Sequence, residues 1–249
     1  MRIDMEENNL SKNERQLPAF FSWWQGGIRY AENIDKNGKT LKLPFENNAL
    51  YGDAVWSQLY PDIKLRPLTC MEIFGNNKPL NLEIGIGNGE FIAKYAADRT
   101  EENWLGVEVF KKIFKLAEKR VNKIDTDNIR IIQFDAALIL RLMEDEALSN
   151  IYVNFPDPWP KKKHKRRRLL KPEFMQLMVS KLKKGGLMQI ATDHDDYAEE
   201  INENLKEVKG IKSIYETSFV RHVDNYFPTK YFRKFVSSDG AYFFRYERI

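Results

Sequence analysis

The sequence has little of what metal-binding and secreted proteins use, since it contains one cysteine, Cys70, and three histidines in 249 residues. A single thiol forms no internal disulfide and no zinc cluster built from thiolates, and no two histidines stand at metal-ligand spacing. No apolar run approaches the ~18 residues that a membrane helix needs. Residues 1–13 lack the apolar core and the cleavage site of a secretory signal. These absences predict a protein of the reducing cytoplasm, with no membrane span and no metal.

The chain is not generally basic, although its formal net charge is +4. Seven lysines and arginines stand within residues 161–168, and the remainder of the chain has 33 Lys and Arg against 36 Asp and Glu. Positive charge concentrated in one short segment is typical of a footprint for a polyanion such as nucleic acid. The alternative is a solvated charge run, but this run is internal and closely follows an apolar segment, residues 151–155.

The apolar pattern divides the chain into three parts. Residues 1–16 are polar and predict a flexible N-terminus, and residues 17–79 are rich in aromatic residues without clear periodicity, which predicts a segment that packs on the main domain. Over residues 80–249, short apolar runs alternate with amphipathic stretches, which predicts an α/β doubly wound sheet. Two strands close together at the end of the chain predict an antiparallel edge.

The element boundaries follow from apolar runs, helical spacing and turn residues. The predicted strands are residues 80–84, 104–109, 129–134, 151–155, 187–191, 211–215 and 241–246. The predicted helices are residues 90–97, 111–123, 137–143 and 197–208, and one that starts at Pro172 and is capped by Gly185 and Gly186. The connection over residues 218–240 is long, aromatic and basic, and loops of that length inside a domain are usually functional.

Acids and glycines follow the first three predicted strands. The first strand holds Glu83 and enters a Gly-x-Gly-x-Gly turn at Gly85 and Gly87, the second ends at Glu108, and the third ends at Asp135. Glycines let the backbone approach a ligand, and an acid at the end of the second strand can accept hydrogen bonds from ribose hydroxyls. We therefore expect a nucleoside pocket at this edge, with a ligand-free turn and a helix cap at Asp135 as the alternatives.

Two further acids follow the fourth and fifth predicted strands. Asp157 stands between Pro156 and Pro158, which restrict the backbone around it, and Asp193 ends the fifth strand. For Asp193 the alternative is a cap on the following helix. A rigid carboxylate next to a run of cations indicates chemistry performed on nucleic acid.

Taken together, these residues resemble the tRNA (guanine-N7-)-methyltransferase family of the bacterial single-subunit type. The most specific motif is residues 155–161, Phe-Pro-Asp-Pro-Trp-Pro-Lys. The other motifs are residues 82–89, 106–108, 135–136, 166–169, 192–193 and 229–231. The resemblance covers roughly residues 78–249, and the N-terminal 60 to 70 residues do not contribute to it.

The resemblance implies a class I methyltransferase fold, a doubly wound and mostly parallel seven-stranded sheet with an antiparallel edge strand, and S-adenosylmethionine as the cofactor. It implies tRNA as the partner, methylated in the variable loop. A monomer or a homodimer is expected, and the sequence does not choose between them. Asp157 matches the catalytic position. The implied cofactor contacts are Glu83, Gly85, Gly87, Glu108, Asp135, Ala136 and Asp157; the implied substrate contacts are Lys161, Asp193 and Thr229; and the implied RNA contacts are Lys163, His164, Lys165, Arg166, Arg167 and Arg168.

One position departs from the family pattern. The family has Thr-x-x-Glu in the late loop, where the acid helps to hold the target base, but here Thr229 is followed three residues later by Phe232. Either a nearby acid such as Asp224 replaces it, or base positioning is altered. Two other functions stay open: a methyltransferase with a different nucleic-acid acceptor, and a non-catalytic RNA-binding protein with a degenerate cofactor pocket.

Overall fold

The computed structural model describes Lys39 and residues 68–249 except 225, 237 and 239. The described strands are β1 (Leu80–Ile84), β2 (Asn103–Glu108), β3 (Ile129–Gln133), β4 (Leu148–Asn154), β5 (Leu182–Thr192), β6 (Ile211–Ser213) and β7 (Tyr242–Arg248). The described helices are α1 (Cys70–Phe74), α2 (Glu90–Asp98), α3 (Lys111–Val121), α4 (Ala136–Leu142), α5 (Pro172–Lys181), α6 (Asp195–Glu207) and α7 (Lys230–Phe235), with a 3₁₀ helix over Lys162–Arg167.

The seven strands form one sheet in the order β3-β2-β1-β4-β5-β7-β6. The five strands from β3 to β5 are parallel, whereas β7 runs antiparallel to both β5 and β6. The strand order reverses at β1, which lies between β2 and β4. The expected doubly wound sheet with an antiparallel edge is confirmed, and crevices at such a reversal are where open α/β sheets bind ligands.

The helices bury the two faces of the sheet in separate apolar clusters. Helices α2 and α3 pack on one face around Trp104, and α4, α5 and α6 pack on the other face around Leu82. In β2, Gly106 allows α2 to lie close, because a Cβ atom there would be 2.7 Å from Ile92. The close packing of both faces holds the carboxyl ends of the strands rigidly at one edge.

Several predicted boundaries shift by one or two residues, β4 and β5 begin three and five residues earlier than predicted, and the predicted cap of α5 is wrong. Gly185 and Gly186 do not cap α5, which ends at Lys181, because β5 begins at Leu182. Instead they lie within β5 at an irregularity in its pairing with β4, where Gly185 has φ +75° and a Cβ atom on Gly186 would be 2.8 Å from the carbonyl oxygen of Ser149. Glycines in this strand mark a close backbone approach, not a helix end.

The predicted segment of residues 17–79 is described only at Lys39 and over residues 68–79. Leu68 and Ile73 are fully buried in the core, and the carbonyl oxygen of Lys39 accepts a hydrogen bond of 2.9 Å from the amide of Ile131 in β3. The expected flexible N-terminus, residues 1–16, lies outside the described residues. In the part of the chain that is described, no helix has the length and apolar character to cross a membrane.

Candidate active site

A cavity of about 370 Å³ opens at the carboxyl end of β1, between the glycine turn and α7. Gly87 has φ +54°, a backbone conformation that residues with a side chain rarely adopt. Its amide donates a hydrogen bond of 3.2 Å to the carboxylate of Glu108. Gly89 is the N-cap of α2, and a Cβ atom there would be 3.0 Å from Ala117 of α3. The cavity is lined by Glu83, Gly85, Ile86, Gly87, Asn88, Glu90, Phe91, Ile113, Leu116, Asn154, Phe155, Thr229, Lys230, Tyr231, Lys234 and Phe235.

Glu83 is a buried carboxyl group at the base of this cavity, with 2% of the residue exposed. Its Oε1 atom accepts a hydrogen bond of 3.2 Å from Asn154, whose own carbonyl accepts from the hydroxyl of Tyr226. Its Oε2 atom is buried and makes no hydrogen bond within the described chain. Burial raises the pKa of Glu83 to about 8, against the opposing effects of the Asn154 amide and the Ile92 backbone amide. A buried carboxylate oxygen without a partner fits a ligand ammonium group, such as that of the methionine part of S-adenosylmethionine.

Glu108 lies beside the glycine turn and stabilises it. Its Oε1 atom accepts from the amide of Phe110 at 2.9 Å, and its Oε2 atom accepts from Gly87. Burial raises the pKa of Glu108, and the charge of Asp157 acts in the same direction. Each carboxylate oxygen can accept a second hydrogen bond, so the expected ribose contact stays compatible with this arrangement.

Asp135 is the N-cap of α4. Its Oδ1 atom accepts hydrogen bonds from the amides of Ala137 and Leu138, at 2.8 and 3.2 Å. The capping alternative is therefore confirmed for Asp135. Neither Asp135 nor Ala136 is among the described residues that line the cavity, and their contact with an adenine stays a prediction.

Asp157 is exposed at the centre of a loop with an unusual backbone. Phe155 and Trp159 have φ +51° and +42°, and the amide of Phe155 donates a hydrogen bond of 2.8 Å to Ala191 in β5. Such conformations cost about 1–3 kcal/mol each and persist only where the surroundings enforce them. The loop thus holds Asp157 at the edge where β4 ends, and the charge of Asp157 contributes to the raised pKa values of Glu108 and Tyr231.

Asp193 accepts a hydrogen bond from the hydroxyl of Tyr231, 3.2 Å from Oδ2. Burial and the nearby charge of Asp193 raise the pKa of Tyr231 to about 12, so this hydroxyl keeps its proton. The N-cap of α6 is His194, so the alternative that Asp193 caps this helix is wrong. Because Tyr231 also lines the cavity and packs on Phe155 with ring centroids 5.0 Å apart, it connects Asp193 to the Asp157 loop.

Helix α7 is attached over the cavity by contacts that the sequence did not reveal. The Thr229 hydroxyl accepts from the amide of Phe232 at 3.3 Å and so caps the helix. Glu90, in the first turn of α2, accepts from the amide of Lys230 at 2.6 Å and from Arg233 at 3.0 Å. Burial opposes ionisation of Glu90, but these donors lower its pKa below the usual value. The position of Glu90 directly after the glycine turn is the feature of the sequence that could have indicated a role in the site.

Phe232 occupies the position where the family has an acid. Its ring packs near Tyr226, with centroids 5.5 Å apart, and it belongs to an apolar group with Phe155 and Phe243. Asp224 is exposed and is not among the described residues that line the cavity. In this chain the residue at the position of the missing acid therefore anchors α7 through apolar contacts.

The basic run forms the 3₁₀ helix and divides into exposed and paired cations. Arg167 lies 4.9 Å from the ring centroid of Trp159, and His164 meets the same ring edge-on at 5.9 Å. Lys165 pairs with Asp196 of α6. The exposed cations are Lys161, Lys162, Lys163, Arg166 and Arg167.

The expectation that Arg168 contacts RNA is wrong in this structure. Its side chain is fully buried and pairs with Asp196 and Glu200 of α6, because the chain turns inward at the end of the 3₁₀ helix. The guanidinium also lies 4.7 Å from the ring centroid of Tyr197. Its charge is thus neutralised inside the protein and is not presented to a polyanion.

Comparisons with known proteins agree with this geometry. A family model described as "Putative methyltransferase" (Methyltransf_4) matches residues 77–244. The tRNA (guanine-N(7)-)-methyltransferase of Buchnera aphidicola is 36% identical over 181 residues, which are 72% of this chain and 76% of that protein. The protein of the same name from Bordetella pertussis is 42% identical over 151 residues, 60% of this chain and 58% of that protein.

Proposed function

Since the chain belongs to the tRNA (guanine-N(7)-)-methyltransferase family, we propose that it methylates N7 of a guanine in the variable loop of tRNA, with S-adenosylmethionine as the methyl donor. The observation that carries the proposal is the position of Asp157. It is exposed on a backbone-strained loop at the carboxyl end of β4, beside a cavity with the buried carboxyl of Glu83 at its base.

The residues around the cavity bind and orient the cofactor, which supplies an electrophilic methyl group on a sulfonium centre. Glu83 accepts the ammonium group through Oε2, and Asn154 fixes the orientation of that carboxylate. Gly85 and Gly87 keep the turn free of side chains, so the backbone can approach the ligand closely. Glu108 is proposed for the ribose hydroxyls, and Asp135 with Ala136 for the adenine end.

Asp157 stabilises charge on the base and needs no proton-transfer role. Guanine N7 has a free lone pair, so no proton is removed before attack. Positive charge passes from the sulfonium to the purine as the new N–C bond forms and the S–C bond to the methyl group breaks. A preorganised carboxylate near the ring stabilises that charge by a few kcal/mol, which corresponds to a factor of about 10²–10³ in kcat. Asp157 can also accept from N1–H and N2–H of guanine, which orients N7 toward the methyl group.

Asp193, Lys161 and Thr229 are proposed to complete the guanine site. Asp193 is fixed by the Tyr231 hydroxyl and retains capacity for further donors. Lys161 is exposed directly after the Asp157 loop, and Thr229 lines the cavity. The exposed cations of the 3₁₀ helix are proposed to bind tRNA phosphates. His164, which lies in the same helix and meets the Trp159 ring edge-on, is proposed to contact the RNA with them.

The proposal is tested with the substitution Asp157→Ala and the matched control Asp127→Ala, which removes an exposed carboxylate before β3. We expect kcat for tRNA methylation to fall by about 10²-fold or more in the first variant and to stay unchanged in the control. Thermal stabilisation by S-adenosylmethionine should persist in both. Wild-type turnover of Asp157→Ala would refute the assignment, and a wild-type chain that the cofactor does not stabilise would favour a degenerate pocket.

A further inference from the structure

A second cavity, of about 360 Å³, lies beside the cofactor cavity between α3 and α7. Its described lining residues are Asn88, Leu116, Lys119, Arg120, Lys123 and Lys230. Four of these six are cations and none is an acid. Asn88, Leu116 and Lys230 also line the cofactor cavity, so the two cavities adjoin. We name the cations Lys119, Arg120, Lys123 and Lys230 the α3–α7 basic surface.

The cations of this surface are exposed, and none of them forms an ion pair with another described residue. No described carboxylate lies within ion-pair distance of Lys119, Lys123 or Lys230, whereas Lys206 is paired with Glu203 on α6. Arg120 is held in place because its Nε atom donates a hydrogen bond of 3.0 Å to the carbonyl oxygen of Asn88. Its charge therefore stands next to the glycine turn.

Helix stability explains only part of this concentration of charge. The helix dipole favours cations in a last turn, which accounts for Lys119 and Arg120. It disfavours cations in a first turn, yet α3 begins with Lys111 and Lys112 without an acid, and α7 begins with Lys230. Of the cations that define the surface, Lys230 is the one placed against the helix dipole, and charge placed against local stability is expected where a residue binds a partner.

We propose that the α3–α7 basic surface is a second contact surface for tRNA and binds its phosphates. The inference rests on the proposed function and extends it. In the sheet, β1 lies between β2, which leads into α3, and β4, which leads into the Asp157 loop and the 3₁₀ helix. The two groups of cations are therefore on opposite sides of the cofactor cavity, and tRNA contacts both sides while its guanine enters between them.

The surface has a composition that suits nucleic acid. Beside the cations, Leu116 is 51% exposed in the same lining, and Phe235 of α7, which lines the adjoining cofactor cavity, is 58% exposed. Lys234 lies 5.0 Å from the Phe235 ring centroid. Exposed aromatic rings between cations provide stacking faces for unpaired bases beside phosphate contacts, as single-stranded segments of tRNA require.

The test compares Lys119→Ala/Lys123→Ala with the control Lys206→Ala/Lys209→Ala, in the full chain with unmodified tRNA. The control removes the same charge at the far end of α6, and neither pair lines the cofactor cavity. We expect Kd and KM for tRNA to rise on the order of tenfold in the first variant, and the slope of log Kd against log salt to fall by about one to two. At saturating tRNA, kcat stays at the wild-type value.

Three results would overturn the proposal. The first is a tRNA affinity and salt slope equal to those of the control. The second is a parallel loss of thermal stabilisation by S-adenosylmethionine, which would place the effect in the cofactor site. The third is a change in the oligomeric state with an unchanged salt slope, which would assign the surface to a protein partner. Because tRNA binding is measured without turnover, failure of the proposed reaction is scored separately, from the methylated nucleoside of the wild-type chain.

Discussion

The Nε atom of Arg168 donates a hydrogen bond of 2.7 Å to the carbonyl oxygen of Pro158, the residue directly after Asp157. The same buried guanidinium pairs with Asp196 and Glu200 of α6. Arg168 therefore connects the Asp157 loop to a helix packed on the sheet, and it acts on Asp157 by positioning the loop. Lys171 pairs with Glu200 as well, which keeps that carboxylate in place.

Replacing Arg168 by Ala should lower both stability and turnover without changing the salt dependence of tRNA binding. Removing one member of a buried ion pair costs about 3–5 kcal/mol, and we expect about 2 kcal/mol here because Asp196 is 45% exposed. Denaturant unfolding measures the first effect and kcat the second. A reduced salt slope would contradict the account, since it would show that Arg168 contacts phosphates.

Glu83 makes stability depend on pH in a defined window. Its pKa is about 8 in the folded chain against an ordinary value of 4.5, so unfolding releases a proton between these values. The free energy of unfolding contributed by Glu83 therefore falls as the pH rises from about 4.5 to about 8. Glu83→Gln should remove this fall and raise the melting temperature at pH 8 relative to the wild type.

The same substitution should weaken cofactor binding, because an amide attracts an ammonium group less than a carboxylate does. Melting curves from pH 5 to pH 8.5, with and without S-adenosylhomocysteine, measure both effects, and Glu101→Gln serves as a control at an exposed carboxylate. If the wild type and Glu83→Gln gave parallel stability profiles, the ionisation assigned to Glu83 would be wrong.

The exposed cations of the 3₁₀ helix should determine much of the salt dependence of tRNA binding. Lys163, Arg166 and Arg167 are exposed, whereas Lys165 pairs with Asp196. Replacing the three exposed cations by Ala should weaken binding and reduce the salt slope by about two to three. Lys165→Ala alone should change the slope less. Equal changes in slope from Lys165→Ala and from Lys163→Ala would contradict this division.

Restoring the family's acid at Phe232 should lower activity. The Phe232 ring contributes to the apolar contact with Phe155 and Tyr226, so a glutamate there would lose that packing or bury its charge. We expect Phe232→Glu to lose about 1–3 kcal/mol of stability and to reduce turnover, while Phe232→Leu retains most of both. A gain in turnover from Phe232→Glu would show that the position acts on the base after all.

The sheet and the pocket edge could be predicted because the periodicity of apolar residues and the spacing of acids and glycines along the chain indicate them directly. Strand–helix alternation predicted the parallel sheet, and the acids and glycines after successive strands predicted the edge that carries Glu83, Glu108 and Asp157. The predicted helix cap at Gly185 and Gly186 is wrong because two glycines after a helix suit a cap and a strand irregularity equally well.

The contacts that orient the site could not be read from the sequence, because they join residues that are far apart in the chain. Glu90 meets Lys230 and Arg233 across 140 or more positions, and Tyr226 reaches Asn154 across 72. The burial of Arg168 could not be predicted from the sequence either. Arg168 stands at the end of the basic run, and it is buried because the chain turns inward there, whereas most of the other cations are exposed.

The most direct test is the transfer of labelled methyl from S-adenosylmethionine to unmodified tRNA by the wild-type chain, followed by digestion and nucleoside analysis. We expect the label to appear in 7-methylguanosine and Asp157→Ala to reduce it by about 10²-fold. Label in a different methylated nucleoside, or no label from a chain that S-adenosylmethionine still stabilises thermally, would contradict it.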